Sequence, residues 1–576
     1  MSETSRGRLW RHRATWGLAF VLLLAPTAVI QGDNGDRGRG RGHGRERSGR
    51  ARDIARGQGS TKLNILVRFR RTPGISEHSL VQGLGAQARR PLRNSSRWLS
   101  LRLPAHRLAA LADSDSVDYV GIDEPVMTDM DIARQAANEP VAPSPESALK
   151  GAGVTIAVLD SGVALHPDIQ TLTAVVDVVG HSNPQAAPPS TSVDPYGHGT
   201  HVAGIMVGNG SHSGGHMAGV APEASLVSVR VLDQLGRGMS SDVLAGLQWI
   251  LDHKDEYGIR VVNISLGHLV FEPVADDPLV EAVDELWDAG VVVVCSAGNR
   301  GRDGHVTITS PCNSAKAITI GATNHNHTAQ ITDDKVATYS SRGPTAFDLI
   351  AKPDLVAPGN RIVSTRSAGS RLDMLLPDRR VAADPAHPNV FEYVEMSGTS
   401  MASPIVAATA ALMIEQDPTL NPGTVKARLM MSARKPRFGD PLVSGAGSLD
   451  ILGALRATWI ADATPSPRAL VDVAAGRIGF ENTAVLWNSA DFSLRALWAN
   501  SVAWSDPSAY LQPVLHTDGE MWPPGGNGGQ GELWPETELW PEGEMWPDSP
   551  AWTPGVTAPE PGPVMTEALA SGFRDP

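Results

Sequence analysis

Five short runs of Val, Ile and Leu constrain this chain more than any other feature. They fall at residues 154–160, 224–232, 260–266, 290–299 and 317–323, and read "VTIAVLD", "ASLVSVRVL", "RVVNISL", "GVVVVCSAGN" and "AITIGAT". Strands without apolar–polar alternation are covered on both faces. Helix-like stretches such as "MSSDVLAGLQWILDHKDEYG" and "DPLVEAVDELWDAG" separate them. Buried strands alternating with helices predict an α/β fold with a doubly wound parallel sheet, over about residues 150–457. In such sheets, sites form at the carboxyl ends of strands.

Those ends carry reactive groups. Asp160 closes the first run and is followed by Ser161-Gly162 as a turn. "YGHGTHVAGIMVG" puts His198 at a glycine-flanked helix start, and "MSGTSMASPIVAATAALMI" puts Ser400 at the start of a helix of small apolar residues. A serine hydroxyl is a poor nucleophile until an imidazole takes its proton, and the imidazole needs a carboxylate to hold its tautomer. Asn299, just past the fourth run, can donate its amide to an oxygen that becomes negative. His198 and His201 could suggest a metal pair. Zinc ligands on a helix usually sit four apart with a Glu beside the first, and here the spacing is three and the Glu is missing. One base and one packed neighbour is the reading, with no metal.

The motifs "VLDSGV", "GHGTHVAG", "SAGN" and "GTSMASP", in that order, resemble those of the subtilisin-like (subtilase) serine peptidases. "GVAPEASLVSVRVL", "NISLG", "SSRGP" and "KPDLVAPG" add to the resemblance, which covers about residues 150–457. It implies that Asp160 orients the imidazole, His198 is general base and then acid, and Ser400 attacks. Asn299 and the Ser400 backbone N–H would form the oxyanion hole. Substrate would lie as an extra strand between Gly236-Arg237-Gly238 and Ser265-Leu266-Gly267, with Ser296-Ala297-Gly298 along one wall of the first specificity pocket. Such backbone pairing implies broad specificity. The chemistry requires no cofactor. Where relatives carry an Asn-rich calcium loop, "GNGSHSGGHMAG" lacks the expected oxygen ligands, which tells against calcium there. Cys295 and Cys312 align to facing sides of the specificity pocket, as two buried thiols or as a disulfide.

Residues 61–127 alternate as β-α-β-β-α-β, a split βαβ pattern, with "SEHSLVQGLGAQARR" as the first helix and Ser76 near its N-cap. The hairpin that follows is expected to turn at "NSS". This segment is similar to the inhibitory prodomain of these enzymes, which implies that it covers the sheet edge and lays "DEPVMTDM" through the site. A polar connector, 128–149, follows.

The ends of the chain differ in charge. Residues 1–60 hold twelve Arg against five acids, and from Asp506 onward twelve acids face one Arg. The middle is near neutral and shows no nucleic-acid footprint. Arg6, Arg8, Arg11 and Arg13 precede an apolar run at 17–30, too short to span a bilayer comfortably, so residues 1–32 read as an export signal and the protein as secreted, extracellular or periplasmic. Residues 33–60 form a Gly/Arg-rich linker. From 458 onward lies an acidic extension with a six-residue lattice that starts at Trp498 and Trp504 and returns at Trp522, Trp534, Trp540, Trp546 and Trp552. In an extended chain those rings share one side. The lattice could dock on a partner that the sequence does not identify, or be a solvated tail. The expected partners are protein or peptide substrates and the chain's own prodomain, with no nucleic acid and no stable membrane span.

Overall fold

A computed structural model describes residues 61–90, 97–123, 125–128, 137–138, 144–324, 334–382, 389–435, 440–472 and 477–498. The export signal, the Gly/Arg-rich linker, the turn at "NSS", most of the 128–149 connector and the lattice from Trp504 onward lie outside the described residues.

The first part is a small α+β domain. Strand β1 (Lys62–Phe69), helix α1 (Ile75–Gly83), strands β2 (Gln87–Arg90) and β3 (Trp98–Pro104), helix α2 (Leu108–Ala112) and strand β4 (Val117–Ile122) follow in the expected order. The strands form an antiparallel sheet in the order β2-β3-β1-β4. The first helix is shorter than expected. It is capped at Gly74, whose N–H donates to the Glu77 carboxylate at 2.9 Å, so Ser76 lies inside the first turn. It ends before Gly85, whose φ of +73° breaks the helical path, and "QARR" pairs with β3 instead. Odd-numbered β1 side chains, Ile65, Val67 and Phe69, pack with Val81, Leu108 and Leu111 in the domain's own core. Leu66 leaves the opposite face and joins Trp98 and Tyr119 in the core of the large domain. The two faces of one sheet thus serve two cores, as period-two alternation requires.

After strand β5 (Pro125–Thr128), the large domain holds β6 (Thr155–Asp160), β7 (Leu172–Asp177), β8 (Ala186–Ala187), helix α3 (His198–Val207), β9 (Ser225–Arg230), β10 (Arg237–Met239) and helix α4 (Ser240–Tyr257). Next come β11 (Ile259–Ile264), β12 (Leu266–Leu269), helix α5 (Pro278–Asp288), β13 (Val292–Ser296), β14 (Thr309–Ser310), β15 (Ile318–Asn324), β16 (Lys335–Val336) and β17 (Leu355–Pro358). Strand β18 (Ile362–Thr365), helix α6 (Arg371–Leu375), β19 (Arg380–Ala382), β20 (Phe391–Met396), helix α7 (Thr399–Gln416) and helix α8 (Pro422–Ser432) complete the elements around the site. The central sheet runs β16-β15-β13-β11-β6-β9-β7-β8, with β17 beside β15. It is parallel except for the short edge strands β8 and β16. Every residue of β6 and β13 is buried, which explains why these runs show no alternation. Helix α4 packs over β6, β9 and β11, and α7 crosses β11, β13, β15 and β17. Helix α7 is buried from Thr399 to Ile414 without a polar face, because it runs through the core.

The packed body does not stop at residue 457. Trp487, Phe492, Leu497 and Trp498 form a satellite core with Ala427 and Met430 of α8. The Trp487 indole donates to the Pro465 carbonyl at 2.8 Å, and Trp498 stacks on Phe480 with ring centroids 5.9 Å apart. The Pro/Gly-rich composition hid this apolar cluster. Trp498, the first member of the sequence lattice, is therefore a core residue.

Candidate active site

Strand β6 delivers Asp160 to the carboxyl edge of the sheet, where its side chain is fully buried. His198 is the first residue of α3, and its Nδ1 lies 2.8 and 3.0 Å from the two Asp160 carboxylate oxygens. An Nδ1–H that donates to this carboxylate leaves Nε2 as the basic nitrogen. The approach of helix to strand depends on Gly199. A Cβ there would lie 2.1 Å from the Gly162 carbonyl oxygen and 3.1 Å from the Asp160 Cβ.

The start of α3 is held by a residue that the sequence reading passed over. Asp194 accepts the amides of Gly197 and Thr200 at 2.7 and 2.8 Å, and the hydroxyls of Thr200 and Ser161 at 2.7 and 2.8 Å. The Ser161 hydroxyl in turn accepts the Gly199 amide at 3.0 Å. Burial pushes the Asp194 carboxyl up despite the four donors that favour its charge. An acidic residue four positions before a helix-starting His was the available signal, read as a distant N-cap.

His201 sits one turn below and faces away from this cluster. Its Nε2 lies 3.1 Å from the carbonyls of Ile362 and Val394. Burial, and then the neighbouring His198, push its pKa down to about 3, so it is neutral. The strands that meet it, β18 and β20, precede the serine motif. Ser364 and Thr365 hydroxyls donate to the carbonyls of His201 and Thr200 at 2.8 and 2.7 Å. The Arg371 and Leu372 amides donate to Pro195 and Tyr196 carbonyls at 2.9 Å each. Strand β18 and helix α6 thus clasp α3 and the loop that leads into His198.

Helix α7 packs on α3 and carries Ser400 in its first turn. Pro404 has no N–H to give the Ser400 carbonyl four residues back. The Ser265 hydroxyl donates to that carbonyl instead, at 3.0 Å, while the Ser400 hydroxyl donates to the Ser265 carbonyl at 3.3 Å. Asn299 follows β13, and its Oδ1 accepts the amide and hydroxyl of Thr399, both at 3.0 Å. That commits the amide's acceptor end and leaves its NH2 as the donor. The helix N-terminus adds partial positive charge at the same place.

The predicted substrate segments form a groove, and a strand of the chain itself lies in it. β5 pairs antiparallel with β10, Val126 opposite Gly238 and Met127 opposite Arg237. On its other side it pairs antiparallel with β12, Met127 opposite Gly267 and Thr128 opposite Leu266. Gly236 precedes β10 with φ +72°, and a Cβ there would lie 2.5 Å from the Tyr196 ring. Ser296 and Ala297 are buried at the end of β13, and the Gly298 amide donates to Thr399 Oγ1 at 3.2 Å. Cys295 and Cys312 are both buried and are not joined in a disulfide.

No group of three or more His, Cys, Asp or Glu among the described residues is placed to hold a metal ion. In the loop after α3, the Ser211 hydroxyl and the His212 amide donate to Asp168 at 2.8 and 3.0 Å.

The family model of the subtilases matches residues 151–453, just over half of the chain. The chain belongs to the subtilase family. This subtilase is a serine endopeptidase, and one relative is named a serine protease and another a subtilisin. It is 38% identical over 353 residues to serine protease AprX of Bacillus subtilis (strain 168), covering 60% of this chain and 76% of that one. It is 32% identical over 307 residues to subtilisin DY of Bacillus licheniformis, covering 53% of this chain and 92% of that one. Among solved structures, fervidolysin from Fervidobacterium pennivorans, described as a keratinolytic enzyme related to subtilisin, superposes with a TM-score of 0.54 at 21% identity. That match covers 71% of this chain and 62% of fervidolysin, less than two thirds of its length, and supports the fold. No helix among the described residues is long and apolar enough to cross a membrane.

Proposed function

We propose that this subtilase is a secreted endopeptidase of broad specificity, made as a zymogen that cuts itself. In this reading His198 Nε2 takes the Ser400 proton as the hydroxyl oxygen attacks the scissile carbonyl. Asp160 stabilises the imidazolium that results. The Asn299 amide and the Ser400 N–H hold the oxyanion, and His198 then gives its proton to the leaving amine. Water repeats the sequence on the acyl-enzyme. Charge develops in a site that excludes water, where prearranged donors act most strongly.

Residues 61–127 act as the inhibitory prodomain. The observation that carries this is β5, seated between β10 and β12 as a third strand where substrate is expected. The basic start and apolar run at 17–30 support export. The test is the intact mass of the secreted protein beside its Ser400→Ala form, with a fluorophosphonate probe on both. Loss of residues N-terminal to the groove, and probe labelling, are expected in the first protein alone. Identical processing in the two would refute self-cutting, and absence of Ser400-dependent labelling would refute the assigned nucleophile.

A further inference from the structure

We propose that Arg68 is the anchor by which the small domain, after its covalent link is cut, stays on the large domain and keeps it latent; this rests on the zymogen reading above. The strand register builds the anchor. Arg68 of β1 stands opposite Trp98 of β3 on one side and Tyr119 of β4 on the other. The three side chains form a row across the sheet, on the face turned to the large domain. The guanidinium carbon lies 5.3 Å from the Trp98 ring centroid and 5.7 Å from that of Tyr119. Within its own domain, Arg68 Nε donates to Asp118 at 2.9 Å. Across the boundary, Nη1 donates to Glu281 of α5 at 3.1 Å, and Nη2 lies 3.6 Å from Asp276. The Trp98 indole donates to the same Glu281 carboxylate at 3.3 Å.

The Arg68 side chain is only 7% exposed in the closed arrangement. Two of its three carboxylate partners belong to the large domain, so separation of the domains breaks both ion pairs at once. Interface energy concentrates in such desolvated Trp, Tyr and Arg clusters rather than spreading over the contact area. Truncating one partner of a buried, hydrogen-bonded charge pair acts mainly on dissociation rate. The small domain also touches the large one elsewhere, where Asp123 accepts the Ser241 amide at 2.7 Å. That bond uses a backbone donor that water can replace on separation.

The test follows the lag between the self-cut and full peptidase activity in the full-length protein, alongside co-elution of the cut segment on size exclusion. Arg68→Ala and Glu281→Gln are each expected to shorten the lag at least fivefold and to release the segment. Both should reach the wild-type final rate. The double variant should shorten the lag by less than the product of the two single effects, because both singles already remove the Arg68–Glu281 contact. An unchanged lag in either single variant, or a double effect equal to the product of the two, would overturn the anchor. Glu281→Gln leaves the small domain's sequence intact and decides the matter if Arg68→Ala does not fold. A wild type whose processing matches Ser400→Ala would remove the zymogen reading and the anchor with it. Normal cutting with an unchanged lag would remove the anchor alone.

Discussion

Asp194 accepts two hydrogen bonds from Thr200, one from its amide at 2.8 Å and one from its hydroxyl at 2.7 Å. Together with the Gly197 and Ser161 bonds they fix the first turn of the helix that begins at His198. Asp194→Ala would strand four buried donors, each costing about 1–3 kcal/mol if left unpaired. The expected result is a fall in kcat of about a hundredfold with little change in KM, since the histidine moves and the groove does not. Asp194→Asn should fall between, because its amide has one accepting oxygen. Steady-state kinetics on a peptide substrate check this, and an unchanged kcat in Asp194→Ala would show that the turn holds itself.

His201 gives stability a pH dependence of its own. Its pKa is about 3 in the fold against the ordinary 6.5. Below pH 6.5 the unfolded chain takes up a proton that the folded one refuses, so stability falls as pH drops from 6.5 toward 3 and then levels. One such group contributes a slope of about 1.4 kcal/mol per pH unit in that window. His201→Gln keeps a donor for the Ile362 and Val394 carbonyls and cannot titrate. Thermal melts between pH 7 and 4 should therefore be flatter in the variant. Equal slopes would mean that His201 titrates normally.

The ladders around β5 also act as a ruler. Thr128 pairs with Leu266, and the Ser265 carbonyl is the one that meets the Ser400 hydroxyl. On the proposed zymogen reading, one further antiparallel step beyond Thr128 predicts a first cut at Asp129–Met130 and a mature chain that begins at Met130. N-terminal sequencing of the secreted protein reads this directly. A Ser400-dependent start elsewhere would break the register argument and leave the peptidase untouched.

The end of the packed body can be found by truncation. Stopping after residue 498 should keep the melting temperature, whereas stopping after 457 removes Trp487, Phe492 and Trp498 from their core. Trp498→Ala alone should cost about 3 kcal/mol, the lower end for a buried aromatic deleted to Ala. Equal melting temperatures for the two truncations would show that this cluster contributes nothing.

Much of this was legible in the residues. Val292–Ser296 announced a central strand because both its faces are buried, and Asp160, His198 and Ser400 stood at strand and helix ends where chemistry gathers. Asp194 was legible only as an acid four positions before a helix-starting His; its weight lies in four bonds, one to a residue 33 positions away. The stop of the first small-domain helix was not legible. "QARR" suits a helix locally, and only pairing with β3 makes it a strand. Trp498 looked like part of a repeat because its partner Phe480 lies in a stretch without periodicity.

The groove that holds β5 bonds backbone on both of its sides. A chain can enter it only if several consecutive N–H and C=O groups are unspoken for, which no residue inside a helix or a central strand can offer. Selection then falls on a target's conformation before its spelling. Such an enzyme would leave well-folded proteins largely whole and cut those whose loops or local openings expose a few extended residues, making susceptibility a measure of the target's own local stability.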